Sequence, residues 1–124
     1  GHGDEIVIAD ANFPGEACAQ RIERLAGVSA TEALEAILSI MPLDSYVTAP
    51  ARTMQVVGVP DAVPPVVAEF QHIINETADH PARVQGVERH EFYAQARQAY
   101  CIVQTAEPRQ YGNLILCKGI VAPN

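Results

Sequence analysis

Basic residues are scarce in this chain: 8 Lys and Arg stand against 15 Asp and Glu, a formal net charge of −7. No basic stripe breaks that balance, so neither nucleic acid nor an anionic membrane surface is expected as a partner. Cysteines are few and poorly placed for pairing, since Cys18, Cys101 and Cys117 are odd in number, widely spaced and without a CxxC motif. That usage suits a reducing, cytoplasmic compartment and no structural zinc. No apolar run approaches the ~18 residues that a bilayer-spanning helix needs, and no charged segment followed by an apolar one opens the chain. Repeats, low-complexity segments and interdomain linkers are also missing.

The catalytic motifs that are missing narrow the chemistry further. His2, His72, His80 and His90 lack the H-E-x-x-H spacing of a zinc hydrolase, so no metal is expected. There is no G-x-S-x-G elbow for a serine nucleophile. Gly1-x-Gly3 precedes a strand, whereas a phosphate-cradling glycine loop follows one, so no nucleotide cofactor is implied.

What is present is one core's worth of alternating elements, because 124 residues with 48% hydrophobic content suffice for one domain and are too few for two. Ile6 to Ala9 is a continuously apolar run bounded by acidic residues, as in a strand buried on both faces. Ser29-Ala30-Thr31-Glu32 has capping-box spacing, and Leu34, Ile37, Leu38 and Met41 then repeat at helical intervals until Pro42. Met54 to Gly58 reads as a second strand. Asp61 with Pro64-Pro65 opens a helix whose inward stripe is Val66, Phe70, Ile73, Ile74 and Thr77. Arg83 to Val87 reads as a third strand and His90 to Ala99 as a short helix with Phe92, Ala96 and Ala99 inward. Tyr100 to Thr105 and Leu114 to Cys117 close the pattern as strands. The expected fold is α/β, a three-layer α/β/α arrangement with a largely parallel central sheet.

The remaining candidates are polar residues at strand ends. Asp10 follows the first strand, where open α/β sheets bind ligands, and could hold a sugar hydroxyl or simply form a turn. Asp4 and Glu5, at the strand's other end, read as solvated charges. His2 is the nearby group whose pKa suits a general acid or base, unless it is only an unordered terminal residue. Tyr111-Gly112-Asn113 offers a stacking face, a phenol and an amide in a turn-rich stretch that could equally be an ordinary loop. Arg89 could donate a fork of hydrogen bonds or be a surface charge. Cys117, inside an apolar strand, reads as a small core residue and not a nucleophile, and Met41, Met54, Phe70 and Phe92 also read as core.

Several segments, taken in order, resemble the L-fucose mutarotase and D-ribose pyranase family. They are Gly1-His2-Gly3-Asp4-Glu5, Asp10-Ala11-Asn12-Phe13-Pro14, Leu43-Asp44-Ser45-Tyr46, Arg89-His90-Glu91-Phe92-Tyr93 and Tyr111-Gly112-Asn113-Leu114-Ile115-Leu116. The resemblance implies a cofactor-free isomerase that opens and recloses a sugar hemiacetal. In it His2 matches the proton-transferring residue, while Asp10, Arg89, Tyr111 and Asn113 match the substrate contacts, with Asp10 and Tyr111 also assigned catalytic roles. The pyranases carry a His where this chain has Arg89 and an alanine where it has Gly112, so L-fucose is implied over D-ribose. A non-catalytic sugar-binding module is the alternative from another class. The family further implies a ring-shaped homo-oligomer, octameric or decameric, with the active site at a subunit interface. Its members have a helix before the GHGDE motif, so residues 1–124 are expected to form a single mutarotase-like domain lacking that helix.

Overall fold

The computed structural model describes residues 3–18 and 21–120. Its elements run β1 (Glu5–Ala9), α1 (Gly15–Cys18), β2 (Ile22–Arg24), α2 (Ala30–Leu38), β3 (Ala51–Met54), α3 (Pro65–Thr77), β4 (Gln85–Val87), α4 (Arg89–Arg97), β5 (Cys101–Gln104) and β6 (Leu114–Cys117). Six strands form one sheet in the order β2-β5-β1-β6-β3-β4. β1 is parallel to β5, and β5 to β2, while β3 is parallel to β4. β6 is antiparallel to both β1 and β3, so it alone is reversed and the other five strands share a direction. The fold is the expected α/β class with a mostly parallel sheet.

Side-chain alternation along the two central strands builds a core on each face. Ile8, Leu114 and Leu116 point to one side, where Ala33, Leu34 and Leu38 of α2 and Val66, Phe70 and Ile74 of α3 cover them. Val7, Ala9 and Ile115 point to the other, under Phe92 and Ala96 of α4. Burial on both faces is why these strands read as unbroken apolar runs. The helix signals work as expected. Ser29 Oγ accepts from the Glu32 amide while Glu32 Oε1 accepts from the Ser29 amide, each at 3.1 Å, and Pro65 occupies the first turn of α3. α4 begins one residue earlier than expected because the Glu88 carboxylate caps the Glu91 amide.

Several features depart from the sequence reading, the short helix α1 among them. β3 is Ala51–Met54, not Met54–Gly58: Val56 bridges Val59 around Gly58, whose φ is +80°, and Val57 is 61% exposed. That apolar run is therefore a turn. Arg52 hides the true strand in the sequence, yet its guanidinium is paired with Glu5 on β1 and hydrogen-bonded to Gln95 on α4. Glu5 is accordingly a half-buried ion-pair partner and not a solvated charge. β2 was not anticipated, since two of its three residues are charged, as suits an edge strand that must not pair with another chain. Among the described residues no helix is long and apolar enough to cross a membrane.

Phe70 is fully buried between α3 and the sheet. Phe70→Ala should therefore lower unfolding free energy by about 3–5 kcal/mol, read from urea denaturation. A loss under about 1 kcal/mol would mean that this face of the sheet is not the packed core described.

Candidate active site

Because β6 is reversed, its first residues lie beside the last residues of β1 and β3. The register Ile8↔Leu114 and Thr53↔Leu114 brings Asp10, Asn113 and Met54 to one edge of the sheet. The Asp10 amide donates to Asn113 Oδ1 at 2.7 Å, and the Asn12 amide donates to Asp10 Oδ1 at 2.9 Å. Asp10 is thus both the turn residue and the wall of a cavity, two readings that the sequence had set against each other. The cavity measures about 190 Å³ and is also lined by Arg89, Tyr93, Phe13 and Tyr111.

The electrostatics of this edge come from burial. Asp10 is 5% exposed, and loss of solvent pushes its carboxyl above the ordinary carboxylate range. Hydrogen bonds from Asn12, Asn113, Phe13 and Gly112 restrain that rise. Arg89, the first residue of α4, brings an exposed guanidinium to the same opening.

Tyr111 is the one non-glycine residue among those described with a positive φ, +64°. An L-residue held there costs ~1–2 kcal/mol, and such strain gathers at functional positions. Its hydroxyl accepts from the Val57 amide at 3.2 Å, which leaves the phenolic hydrogen to donate elsewhere. Next to it, Gly112 is required by close approach. A Cβ there would lie 2.9 Å from Glu107 Cγ and 3.1 Å from the Arg109 carbonyl oxygen. The latter is backbone and cannot swing away.

Four of the five expected site residues, Asp10, Arg89, Tyr111 and Asn113, therefore meet at one cavity. The fifth, His2, lies outside the described residues. Gly3, to which it is bonded, is at the opposite edge of the sheet, its amide donating to the Lys118 carbonyl at 2.9 Å. Two lining aromatics escaped the sequence reading. Tyr93 lies tilted against Phe13 with ring centroids 5.6 Å apart, and Phe13 meets Phe92 edge-on at 6.2 Å. The signal for Tyr93 was available, since it sits one helical turn after Arg89 and so shares its face. Met54, read as core, is 6% exposed and also lines the cavity.

Cys117 is 5% exposed, and burial together with its bond to Asp44 pushes the thiol up to about 11, far from nucleophilic at neutral pH. Among the described residues no group of three or more His, Cys, Asp or Glu is arranged to hold a metal ion.

Residues 1–121 match the model of the RbsD / FucU transport protein family. The human fucose mutarotase is 41% identical to this chain over 100% of the chain and 84% of its own length. The L-fucose mutarotase of Haemophilus influenzae is 38% identical over 97% of this chain and 83% of its own. Among solved structures, the fucose mutarotase of Streptococcus pneumoniae in complex with L-fucose superposes with a TM-score of 0.90 at 41% identity, covering 98% of this chain and 86% of that one. Bacillus subtilis RbsD complexed with D-ribose superposes at 0.77 with 18% identity, a likeness of fold alone.

The buried carboxyl makes a prediction whose sign follows from linkage. A folded-state pKa above the unfolded value means the folded chain holds the proton more tightly, so stability falls as pH rises through that window. Asp10→Asn removes this loss and can keep the bond from the Asn12 amide. The variant should be at least as stable as the parent at neutral pH, and its advantage should vanish in acid where Asp10 is protonated in both states. Urea melts across pH check this, and a variant clearly less stable at pH 7 would contradict the burial account.

Proposed function

The chain belongs to the RbsD / FucU family, and from that premise we propose that it is an L-fucose mutarotase, an isomerase that interconverts the α and β anomers by ring opening and closure. The observation that carries this reading is the convergence of Asp10, Arg89, Tyr111 and Asn113 on one polar cavity with an aromatic wall. Such a wall takes the apolar face of a sugar ring, while the charged and amide groups take its hydroxyls. Anomer exchange requires one proton to leave the anomeric hydroxyl and another to reach the ring oxygen, after which the open aldehyde rotates and recloses. Two proton-handling groups suffice for this. In this scheme His2 is the general acid at the ring oxygen, Tyr111 faces the anomeric hydroxyl, and Asp10 orients His2 or a substrate hydroxyl. Arg89 and Asn113 hold the sugar.

The resemblance favours L-fucose over D-ribose through Arg89 and Gly112, where the pyranases carry a His and an alanine. The protein is further proposed to act in the cytoplasm, consistent with the free, buried thiols of Cys101 and Cys117. A homo-oligomeric ring, octameric or decameric, completes the proposal. The family resemblance implies an active site at the subunit interface, so in this proposal His2 serves the cavity of a neighbouring copy.

Saturation-transfer NMR on the anomeric protons tests the function, with faster exchange of L-fucose than of D-ribose forms expected. Equal or greater activity on ribose would assign the chain to the pyranase branch, and no exchange with either would favour a sugar-binding module. Within the L-fucose reading, His2→Ala should slow exchange by about 10²–10⁴-fold at nearly unchanged affinity. Tyr111→Phe and Asp10→Asn should also slow it, whereas Arg89→Ala should weaken binding by roughly tenfold, the loss of one charged hydrogen bond. His72→Gln, on the exposed face of α3, should change nothing.

A further inference from the structure

We propose that Glu107 is the residue that positions Tyr111 and Asn113 for catalysis, an inference that rests on the mutarotase reading of the cavity. Glu107 is 2% exposed and stands outside the cavity wall. A carboxylate so deeply buried requires several partners, and it has them. Arg109 grips it as a fork, Nε to Oε2 at 3.0 Å and an Nη to Oε1 at 3.1 Å, and the Arg109 amide adds a third bond at 3.3 Å. The Ala30 amide, at the N-terminus of α2, also donates to it. The Arg109 fork is the main cause that holds this carboxyl below its ordinary range, so it is anionic throughout the neutral region.

The backbone of the same residue ties the loop to β1. The Glu107 carbonyl accepts from the Ala11 amide at 2.8 Å, and the Glu107 amide donates to Thr105 Oγ1, which in turn donates to the Ala9 carbonyl. One residue therefore fastens the loop 105–113 simultaneously to α2, to the end of β1 beside Asp10, and to itself. Its Cγ is also the atom that a side chain at position 112 would strike. The left-handed backbone of Tyr111 needs such over-determination, since a loop free to relax would abandon φ +64°. Glu107 touches none of the cavity, so its effect passes through Tyr111 and Asn113 and not through the sugar. Displacement of a catalytic group by about 1 Å can cost as much as 10²-fold in rate.

The test is Glu107→Gln, an isosteric change that removes the charge, compared with Ile74→Val, a core change of modest stability cost away from the loop. Two readouts are taken: L-fucose anomer exchange, and the amide resonances of Asp10 and Val57, which donate to Asn113 Oδ1 and Tyr111 Oη. Glu107→Gln should lower kcat by about tenfold or more while KM stays within ~3-fold, and should move both amide resonances. Ile74→Val should do neither. An unchanged kcat for Glu107→Gln, or an equal loss in Ile74→Val, overturns the proposal. If Glu107→Gln does not fold, Arg109→Lys decides, because lysine keeps the charge but cannot supply the fork and should give the same split. A parent protein that exchanges no fucose while Glu107→Gln still moves the two resonances would refute the mutarotase reading and leave the positioning intact. Unmoved resonances refute the positioning whatever the parent's activity.

Discussion

The reversal of one central strand, β6, is the constraint from which the rest of the site follows. In a wholly parallel sheet the residues preceding the strand beside β1 would lie at the edge remote from Asp10. Running β6 antiparallel between β1 and β3 instead delivers its leading loop, with Tyr111 and Asn113, to the carboxyl ends of its neighbours. Two apolar cores, one on each face, fix the register, because a slip of one residue would turn Leu114, Ile115 and Leu116 to the wrong sides. The bond from the Asp10 amide to Asn113 Oδ1 is the local consequence. Hydrophobic packing thus sets the position of a polar contact that packing alone would not favour.

The same geometry separates what lies close in sequence. β1 leads to Asp10 at one end and back to Gly3 at the other, where the Gly3 amide donates to the Lys118 carbonyl and the Lys118 amide to the Asp4 carbonyl, beside Asp44 and Cys117. A strand is a rigid spacer, so Gly3 and Asp10 stay at opposite edges of the sheet within one copy. On the proposed mutarotase reading, with His2 as the general acid, this arrangement favours a site shared between copies. It also accounts for the burial of Asp10 and the strain at Tyr111, which cost stability that a purely structural loop would have no reason to forgo.

The parts of this fold that sequence exposes are those decided by local pattern. Unbroken apolar runs marked β1 and β6, and the capping box of Ser29 and Glu32 marked the start of α2. Elements whose residues are legible only through distant partners were lost or displaced. Arg52 belongs to a central strand because Glu5, far back in the chain, neutralises it, and nothing near Arg52 announces that pairing. The site divides in the same way. Asp10 and Asn113 could be read from their place at strand ends, and Tyr93 was recoverable from its helical offset to Arg89. Glu107 was not, since Glu-Pro-Arg reads as a solvated turn until α2 and Arg109 are seen to close around the carboxylate.

The claim that a working site draws on two copies is tested most directly by mixing subunits. His2→Ala and Asp10→Asn proteins, each expected to exchange L-fucose anomers slowly alone, are combined into mixed assemblies by co-expression and assayed for that exchange. With each site taking His2 from one copy and Asp10 from the next, random mixing restores both groups to about a quarter of the sites, and activity should return to that fraction of the parent value. Mixed assemblies as slow as either variant alone would contradict the account, because they would place both groups in the service of the same copy.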